Sequence, residues 1–429
     1  MSVDIDILIV GAGPAGISAA ATAAAHGCDV LLLDDNFAPG GQIWRDGTAA
    51  AQNGSEDESD DRKRKSLLVL QASGARVFSG WTVFDAPREK TLRAIQESGA
   101  NLHTIDISYQ KLILATGARE RFLPFPGWTL PGVFGAGGLQ ALARGGLPIA
   151  GKRIVVAGTG PLLLPVTAHL RQMGARVTTV AEQASRRQLA RFSAFLSRQP
   201  GKLLEGLQYR AASGGSRYRF GCWPVAALGS SKIESVRLTD GQRTWTEHCD
   251  MLACGFHLVP NTELASLLGC TLRDGFIEVD EVQQTSIANI FAAGEPTAIA
   301  GLDSALLTGT MAGLAAAGKT EEAKALLPRR KKFERFAAQL DHAFALRPEL
   351  LTLAQPDTIV CRCEDVTYGS LTGYQNWTEA KLQTRCGMGP CQGRICGPAT
   401  QALFGWHNVS VRPPLFPVPL SAMGAGPTR

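Results

Sequence analysis

The chain has 429 residues, 45% hydrophobic and 19% charged, which is too long for one ordinary core and predicts two or three domains. A net charge of +5 is small for this size and argues against a nucleic-acid partner or an anionic membrane surface. No run of eighteen apolar residues occurs, so no membrane span is expected. The start, Met1-Ser2-Val3-Asp4, lacks a signal-peptide pattern and predicts a cytoplasmic protein.

Ile5 to Val10 is a nearly continuous apolar run, as expected for a buried parallel strand. It leads into Gly11-Ala12-Gly13-Pro14-Ala15-Gly16, an alanine-rich helix from Ile17 to Ala25, and a second strand, Val30 to Leu33, ending at Asp34. Gly11 permits the tight turn, Gly13 lets backbone amides approach a pyrophosphate, and Gly16 lets helix and strand pack closely. The helix N-terminus stabilises phosphate charge. Asp34, 18 residues beyond Gly16, is placed to accept hydrogen bonds from a ribose.

Between Asn53 and Lys65, five acids precede four bases with no apolar residue, which reads as a solvated mobile loop. Leu112 to Ala115 reads as a strand entering the sharp turn Thr116-Gly117-Ala118-Arg119. Lys152-Arg-Ile-Val-Val-Ala-Gly158-Thr-Gly160-Pro-Leu-Leu163 begins a second strand–turn–helix unit, with a following strand at Arg176 to Val180 and Glu182 at the ribose position. The third glycine is replaced there by Leu163, whose branched side chain should separate helix from strand and crowd phosphates; Pro165 disturbs the first helical turn. Nicotinamide binding is therefore not expected to survive. If it does, Glu182 favours NAD over NADP.

No Cys-x-x-Cys or Cys-x4-Cys pair lies beside the first site, where the chain reads Gly40-Gly41-Gln42-Ile43-Trp44. Cys249 and Cys254 read as core, as do Cys28, Cys222 and Cys270. His257 is the histidine nearest a cofactor-facing loop, and its expected role is structural. No acid–base pair stands out, which places substrate chemistry elsewhere and leaves the catalytic residues unassigned.

Residues 328–332, Pro-Arg-Arg-Lys-Lys, read as a separator. Phe333, Phe336, Ala337, Leu340 and Phe344 then recur at helical spacing, predicting a helix that packs a small C-terminal domain onto the larger body. Five of the ten cysteines then fall within 36 residues: Cys361, Cys363, Cys386, Cys391 and Cys396. A Cys-x-Cys pair brings two sulfurs together on one loop, and the later glycine-rich turn can supply two more. Four thiolates suit a [2Fe–2S] cluster; zinc accepts the same set, and five candidates compete for four positions. Structural disulfides are disfavoured in a reducing compartment. Arg412-Pro-Pro-Leu-Phe-Pro-Val-Pro-Leu420 should run extended, and its apolar side chains suggest that it lies on another polypeptide of a complex.

Two resemblances add to this reading. Residues 1–320, with Pro39-Gly-Gly41-Gln42, the Thr116-Gly117 turn and Ala293-Gly294-Glu295, resemble the two-dinucleotide-domain flavoproteins of the thioredoxin-reductase and glutathione-reductase group. That implies an α/β fold with two Rossmann-like dinucleotide-binding domains and FAD at the first. Gly11, Gly13, Gly16, Asp34, Gln42, Thr116 and Glu295 would hold it, with Pro14, Ala15, Gly41, Gly117 and Gly294 in the same site. Glu295 stands where that group usually has Asp. The cysteine segment resembles the bacterioferritin-associated-ferredoxin type of small [2Fe–2S] domain. The version Gly-Met-Gly-x-Cys-Gln-Gly-x-x-Cys implies Cys361, Cys363, Cys391 and Cys396 as ligands and leaves Cys386 as a spare.

Gly-Ala-Arg119-Glu-Arg121, Gly-Met-Gly-Pro-Cys391-Gln-Gly and Arg412-Pro-Pro-Leu together make nearly the whole chain resemble the α subunits of multisubunit amine, opine and D-hydroxyproline dehydrogenases. The resemblance implies one component of an oxidoreductase that works on CH–NH donors. It also implies a hetero-oligomer containing an amine-oxidising flavoprotein β subunit, with a small ferredoxin-like γ subunit. Some relatives carry NAD or ATP as a structural nucleotide instead of FAD. The expected domains are 1–119 with 285–325 (dinucleotide), 120–284 (NAD(P)-binding-like), 326–411 (linker helix and small helical iron–sulfur domain) and 412–429 (tail). A self-sufficient NAD(P)H-dependent reductase and a nucleotide-binding scaffold are the alternatives.

Overall fold

In the computed structural model, which describes residues 2–45, 58–99, 101–197, 200–407 and 411–423, the first sheet grows from the N-terminal apolar run. Strands β1 (Ser2–Val10), β2 (Val30–Asp34) and β3 (Arg76–Ser79) are parallel, connected through α1 (Pro14–Ala25) and α2 (Glu58–Ser73). An antiparallel meander follows, β4 (Thr82–Arg88), β5 (Thr91–Ser98) and β6 (Asn101–Leu114), and β6 returns to pair in parallel with β1. Burial of the five residues Val30–Asp34 explains the unbroken apolar spelling of β2, since both faces of the sheet are covered.

Strand β7 (Ala118–Glu120) crosses to a second sheet, built from β8 (Val133–Gly135), β9 (Arg153–Thr159), β10 (Arg176–Glu182) and β11 (Arg217–Phe220), with helices α3 (Ala136–Arg144), α4 (Leu163–Gln172), α5 (Arg186–Leu196) and α6 (Pro200–Ala212). A small antiparallel sheet, β12 (Trp223–Leu228), β13 (Ser235–Thr239) and β14 (Thr244–His248), packs beside it before β15 (Met251–Phe256) completes the parallel order β11-β10-β9-β15-β8. The chain returns through β16 (Leu258–Pro260), antiparallel to β7, then α7 (Glu263–Leu267), the hairpin β17 (Leu272–Arg273) and β18 (Phe276–Ile277), and β19 (Ile290–Ala292), which joins β6 in the first sheet.

Helix α8 (Leu302–Ala316) then lies on α1. The approach is close enough that a Cβ on Gly309 would fall 2.2 Å from the Ala15 carbonyl oxygen. Small residues on both helices are thus a packing requirement. Helices α9 (Thr320–Ala325) and α10 (Leu327–Ala343) lead to a 3₁₀ turn at Pro348–Thr352 and a small domain of β20 (Ile359–Cys361), β21 (Val366–Thr367), α11 (Tyr368–Leu371), α12 (Trp377–Thr384) and α13 (Cys396–Phe404). A short α14 (Leu420–Met423) lies in the tail.

The α/β architecture and the helical C-terminal region agree with the sequence expectation, and three local readings are corrected. Of the charged stretch, residues 53–57 lie outside the described residues, but residues 58–65 form the start of α2 rather than a loop. Asp61 pairs with Arg64 and Lys65 one turn on, and Leu70 anchors the far half of the helix in the first core. Residues 328–332 need no such correction: they lie in the linker helix α10, with Pro328 in its first turn where the missing N–H costs nothing. Phe336, Leu340 and Phe344 do pack as their spacing predicts, onto Phe192 and Phe195 of α5. Leu163 does not push helix from strand: it is fully buried against Gly255 of β15, which supplies the missing space.

The tail reading changes most. Leu415 is 5% exposed, donates its N–H to the Phe84 carbonyl at 2.7 Å and joins the first domain's core. Burying such a side chain contributes about 2 kcal/mol, and Phe416 and Val418 also pack on this chain, so this part of the tail is a strap on its own chain, while Leu420 stays 86% exposed.

Candidate functional site

The carboxyl ends of β1, β2, β6 and β19 converge on one crevice, the place where an open parallel sheet binds ligands. Gly11 (φ 104°) turns the chain out of β1 so tightly that a Cβ would meet the Ala115 carbonyl at 2.2 Å, and a Cβ on Gly16 would fall 1.8 Å from the Gly11 carbonyl. Gly13 has only Gly41 near it, at 4.0 Å, so its backbone stays open to a ligand. It caps α1 without any side-chain bond to the first helical amides, which leaves those donors facing the cavity. Asp34 is 5% exposed. It accepts the Ala12 N–H and both the N–H (2.8 Å) and the amide Nδ2 (2.7 Å) of Asn36, which fixes its carboxylate at the cavity wall with lone pairs to spare.

Thr116 and Gly117 cross over this crevice. Thr116 Oγ1 donates to the Asn261 carbonyl at 2.6 Å, and Asn261 Nδ2 returns a bond to the Thr116 carbonyl at 2.8 Å. Gly294 (φ 80°) donates its N–H to Thr308 Oγ1 at 3.0 Å. Glu295 lines the cavity beside the crossover; burial pushes its carboxyl upward, and the nearby Ala118 backbone partly offsets the shift. A cavity of about 2210 Å³ is lined by Gly11, Gly13, Pro14, Ala15, Asp34, Gly41, Gln42, Thr116, Gly117, Gly294 and Glu295. Gly16 works behind it, in the helix–strand contact. The volume exceeds that of an ordinary ligand pocket, roughly 300–1,000 Å³, and leaves room for an extended dinucleotide. These residues fit FAD.

The same cavity reaches the second dinucleotide fold, where the geometry differs. Glu182 is fully buried and spends both oxygens on backbone, Gly160 N–H at 2.9 Å and Ala184 N–H at 2.8 Å. Burial nevertheless pushes its carboxyl to about 7, against the lowering effect of those bonds. Gln183 beside it donates to Thr159 Oγ1 at 2.9 Å and the Ala345 carbonyl at 3.0 Å, and accepts the Arg347 N–H at 3.1 Å. Arg347 also stacks on Trp223, 4.0 Å from the ring centre. The polypeptide following α10 thus occupies the polar groups beside the ribose position. His257, held at φ 69°, makes a 2.6 Å contact with the Phe344 carbonyl, and burial holds it toward the neutral form. One ring nitrogen is thus engaged with backbone, and the residue also lines the cavity.

In the C-terminal domain, the Sγ atoms of Cys361, Cys386 and Cys396 lie within 4.8 Å of one another, all three buried. Cys363 is exposed and Cys391 is half-buried, and neither belongs to this trio. Cys386, a spare by resemblance, is therefore inside the cluster. The thiols of Cys386 and Cys396 and the N–H groups of Gly387 and Glu364 point at Cys361 and lower its pKa. Glycines make the loop possible: a Cβ on Gly389 would fall 2.3 Å from Cys363 Cβ, and one on Gly387 2.6 Å from Trp377. Cys249 and Cys254 are buried in the second domain's core, as expected; Cys28 is only half-buried.

Asn261, Glu263 and Arg394 escaped the sequence reading. Arg119 Nη1 donates to Asn261 Oδ1 at 2.6 Å, Nη2 pairs with Glu263 at 2.8 Å, and Nε donates to the Arg394 carbonyl at 3.0 Å. Arg394, between Cys391 and Cys396, donates to the Cys391 and Leu415 carbonyls and stacks on Phe416, 3.8 Å from the ring centre. The only sequence signals were the turn spelling Pro260-Asn261-Thr262 and a basic residue between two cysteines, neither informative alone.

Residues 5–317 match the model of the pyridine nucleotide-disulphide oxidoreductase family. The chain is 32% identical to the HcnB component of hydrogen cyanide synthase from Pseudomonas aeruginosa, with 97% of each chain covered. It is 33% identical to an opine oxidase subunit from Agrobacterium tumefaciens, covering 95% of this chain and 87% of that one. Among solved structures, T. acidophilum thioredoxin reductase superposes with TM-score 0.55 at 20% identity (74% of this chain, 99% of the other). L-Proline dehydrogenase from P. horikoshii gives TM-score 0.66 at 19% identity (99% and 80%), a likeness of fold that extends over the C-terminal region. Among the described residues no helix is long and apolar enough to cross a membrane. The chain belongs to the pyridine nucleotide-disulphide oxidoreductase family, whose FAD-binding fold it retains, and it is related to subunits of multisubunit flavoprotein oxidases.

Proposed function

We propose that this chain is the electron-transferring subunit of a multisubunit dehydrogenase that oxidises a secondary amine or amino acid of the opine or D-hydroxyproline type. The amine would lose its hydride on a separate flavoprotein β subunit, with a small ferredoxin-like γ subunit completing a cytoplasmic hetero-oligomer. FAD would occupy the first dinucleotide site, and a [2Fe–2S] cluster the C-terminal cysteines, with Cys361, Cys363, Cys391 and Cys396 as the ligand set. When bound, the flavin exchanges electron pairs and the cluster single electrons.

The observation that carries the reading is the Arg119–Arg394 contact. It joins the turn crossing the dinucleotide site to the loop between two candidate ligands, so both centres would be held in one rigid frame. Asp34 and the open amides of α1 would hold ribose and pyrophosphate. Glu295 would brace the crossover. Buried Trp377 and the glycine loop would keep water from the inner thiols. Three of the five thiols, Cys361, Cys386 and Cys396, lie at mutual ligand spacing without a disulfide, which supports a metal centre here; the [2Fe–2S] cluster is our reading of it.

The test is the visible spectrum of the anaerobically purified chain, with iron, sulfide, zinc and released nucleotide quantified. Flavin bands with about two irons and two sulfides per chain are expected. Zinc without flavin would overturn the reading. Self-sufficient NAD(P)H reduction is opposed by the bonds that Gln183 and Glu182 already make within the chain.

A further inference from the structure

Five thiols surround a site that needs four, and they divide unevenly. Thiolates sharing one tetrahedral ion at bonds of ~2.3 Å stand roughly 4 Å apart. Cys361, Cys386 and Cys396 meet that spacing as a trio, all within 4.8 Å, whereas Cys363 is exposed and Cys391 half-buried outside that group. One iron of a two-iron cluster takes two protein thiolates, so the trio offers one ligand too many.

The three inner thiols are not equivalent. Cys361 ends β20 and is held there by strand pairing with Val366 of β21. Cys386 and Cys396 arrive from different elements. Cys386 follows the left-handed end of α12 at Arg385, which is bonded to Glu364 at 2.7 Å, and Cys396 opens α13. Their exposures are 0% and 1%, so water does not compete for either sulfur. A core cysteine needs only apolar neighbours; Cys386 instead faces two other thiols.

We propose that Cys386 and Cys396 are interchangeable ligands of the same iron, with Cys361 as its fixed ligand and Cys363 and Cys391 serving the other iron. This rests on the [2Fe–2S] reading above. The exchange balances without an oxidant or reductant: the Cys386–iron bond forms, the Cys396–iron bond breaks, and the proton lost by the incoming thiol goes to the departing thiolate. The site would thereby tolerate loss of either Cys386 or Cys396, but not of both and not of Cys361.

The test uses the full chain prepared anaerobically, with iron and acid-labile sulfide measured beside visible circular dichroism and the electron paramagnetic resonance of the reduced protein. Cys386→Ala and Cys396→Ala should each keep wild-type iron and sulfide but differ in resonance from one another. The double variant should fall at least tenfold in both, as should Cys361→Ala. Far-ultraviolet dichroism and retained first-site nucleotide establish that each variant is folded. A Cys396→Ala or Cys386→Ala protein as empty as the double variant would overturn the exchange, and so would a double variant that stays loaded. Wild-type protein lacking iron and sulfide would overturn the cluster reading itself, before any variant is compared.

Discussion

Arg119 and Arg394 are 275 positions apart in sequence, yet the guanidinium of one donates to the carbonyl of the other at 3.0 Å. The two like charges feel each other, and the repulsion is offset by Glu263, which pairs with Arg119 and also attracts Arg394; Arg394 in turn stacks on Phe416. The contact couples a cofactor-crossing turn, a cysteine loop and the tail strap in one network. Such networks lose more on truncation than a single bond would suggest.

Arg119→Ala should therefore destabilise the protein by roughly 2–3 kcal/mol, since it strands the Glu263 carboxylate and Asn261 Oδ1 in a half-buried setting. Thermal unfolding and limited proteolysis of the C-terminal domain read this directly. Arg119→Lys should restore the charge but not all three bonds, and so recover only part. A variant as stable and protease-resistant as wild type would disconnect the network from stability.

Gly16→Ala should abolish nucleotide retention. The added Cβ would lie 1.8 Å from the Gly11 carbonyl, forcing α1 off the sheet and moving the amides that face the cavity. Gly309→Ala should act from the other side of α1, where the clash is with Ala15. Nucleotide released from purified protein by heat is the readout; normal occupancy in both variants would contradict the proposed packing.

NADH should not bind the second dinucleotide fold at concentrations up to about 1 mM, that is, more weakly than roughly 4 kcal/mol. Equilibrium dialysis is sufficient, and micromolar affinity would refute the view that the segment after α10 has taken over its polar groups. Gln183→Ala should weaken folding, because Ala345 and Arg347 lose a shared partner, without creating an NADH site.

Asp106 and Arg93 form a two-bond pair at 2.6 and 2.9 Å with side chains 11% and 12% exposed. Arg93, by hydrogen bond and then by charge, holds the Asp106 carboxyl below its usual range despite burial. Because the folded value is depressed, its stabilisation is complete above the unfolded carboxylate value and is lost as pH falls through the folded value. Asp106→Asn should cost about 1.5–3 kcal/mol at neutral pH, shrinking as the solution is acidified below about pH 4. Urea unfolding across that range measures the slope; a cost independent of pH would assign the loss to packing.

The first dinucleotide site was legible because its parts are contiguous. Gly11, Gly13, Gly16 and Asp34 sit within one strand–helix–strand unit, where short-range sterics decide the backbone. The phenylalanine spacing of α10 was legible for the same reason. The charged stretch before Ser73 reads as a loop in sequence because its pairings need the helix: Asp61 meets Arg64 and Lys65 a turn on, and Arg62 meets Asp303 of α8. Leu163 was misread because its compensation, Gly255, lies on a strand distant in sequence.

Residue order was thus enough to specify the two strand–glycine–helix units, the α/β class and the concentration of thiols near the C-terminus. Folding in three dimensions was needed to bring Cys386 to Cys361 and Cys396, to return Leu415 to the first domain's core, and to close Phe344 to Arg347 on Gln183 and His257. The division is physical: backbone turns and periodic burial are set by neighbours along the chain. Ligand spacing and partner choice depend instead on long-range contacts whose loop-closure cost is recovered only after the whole chain has packed.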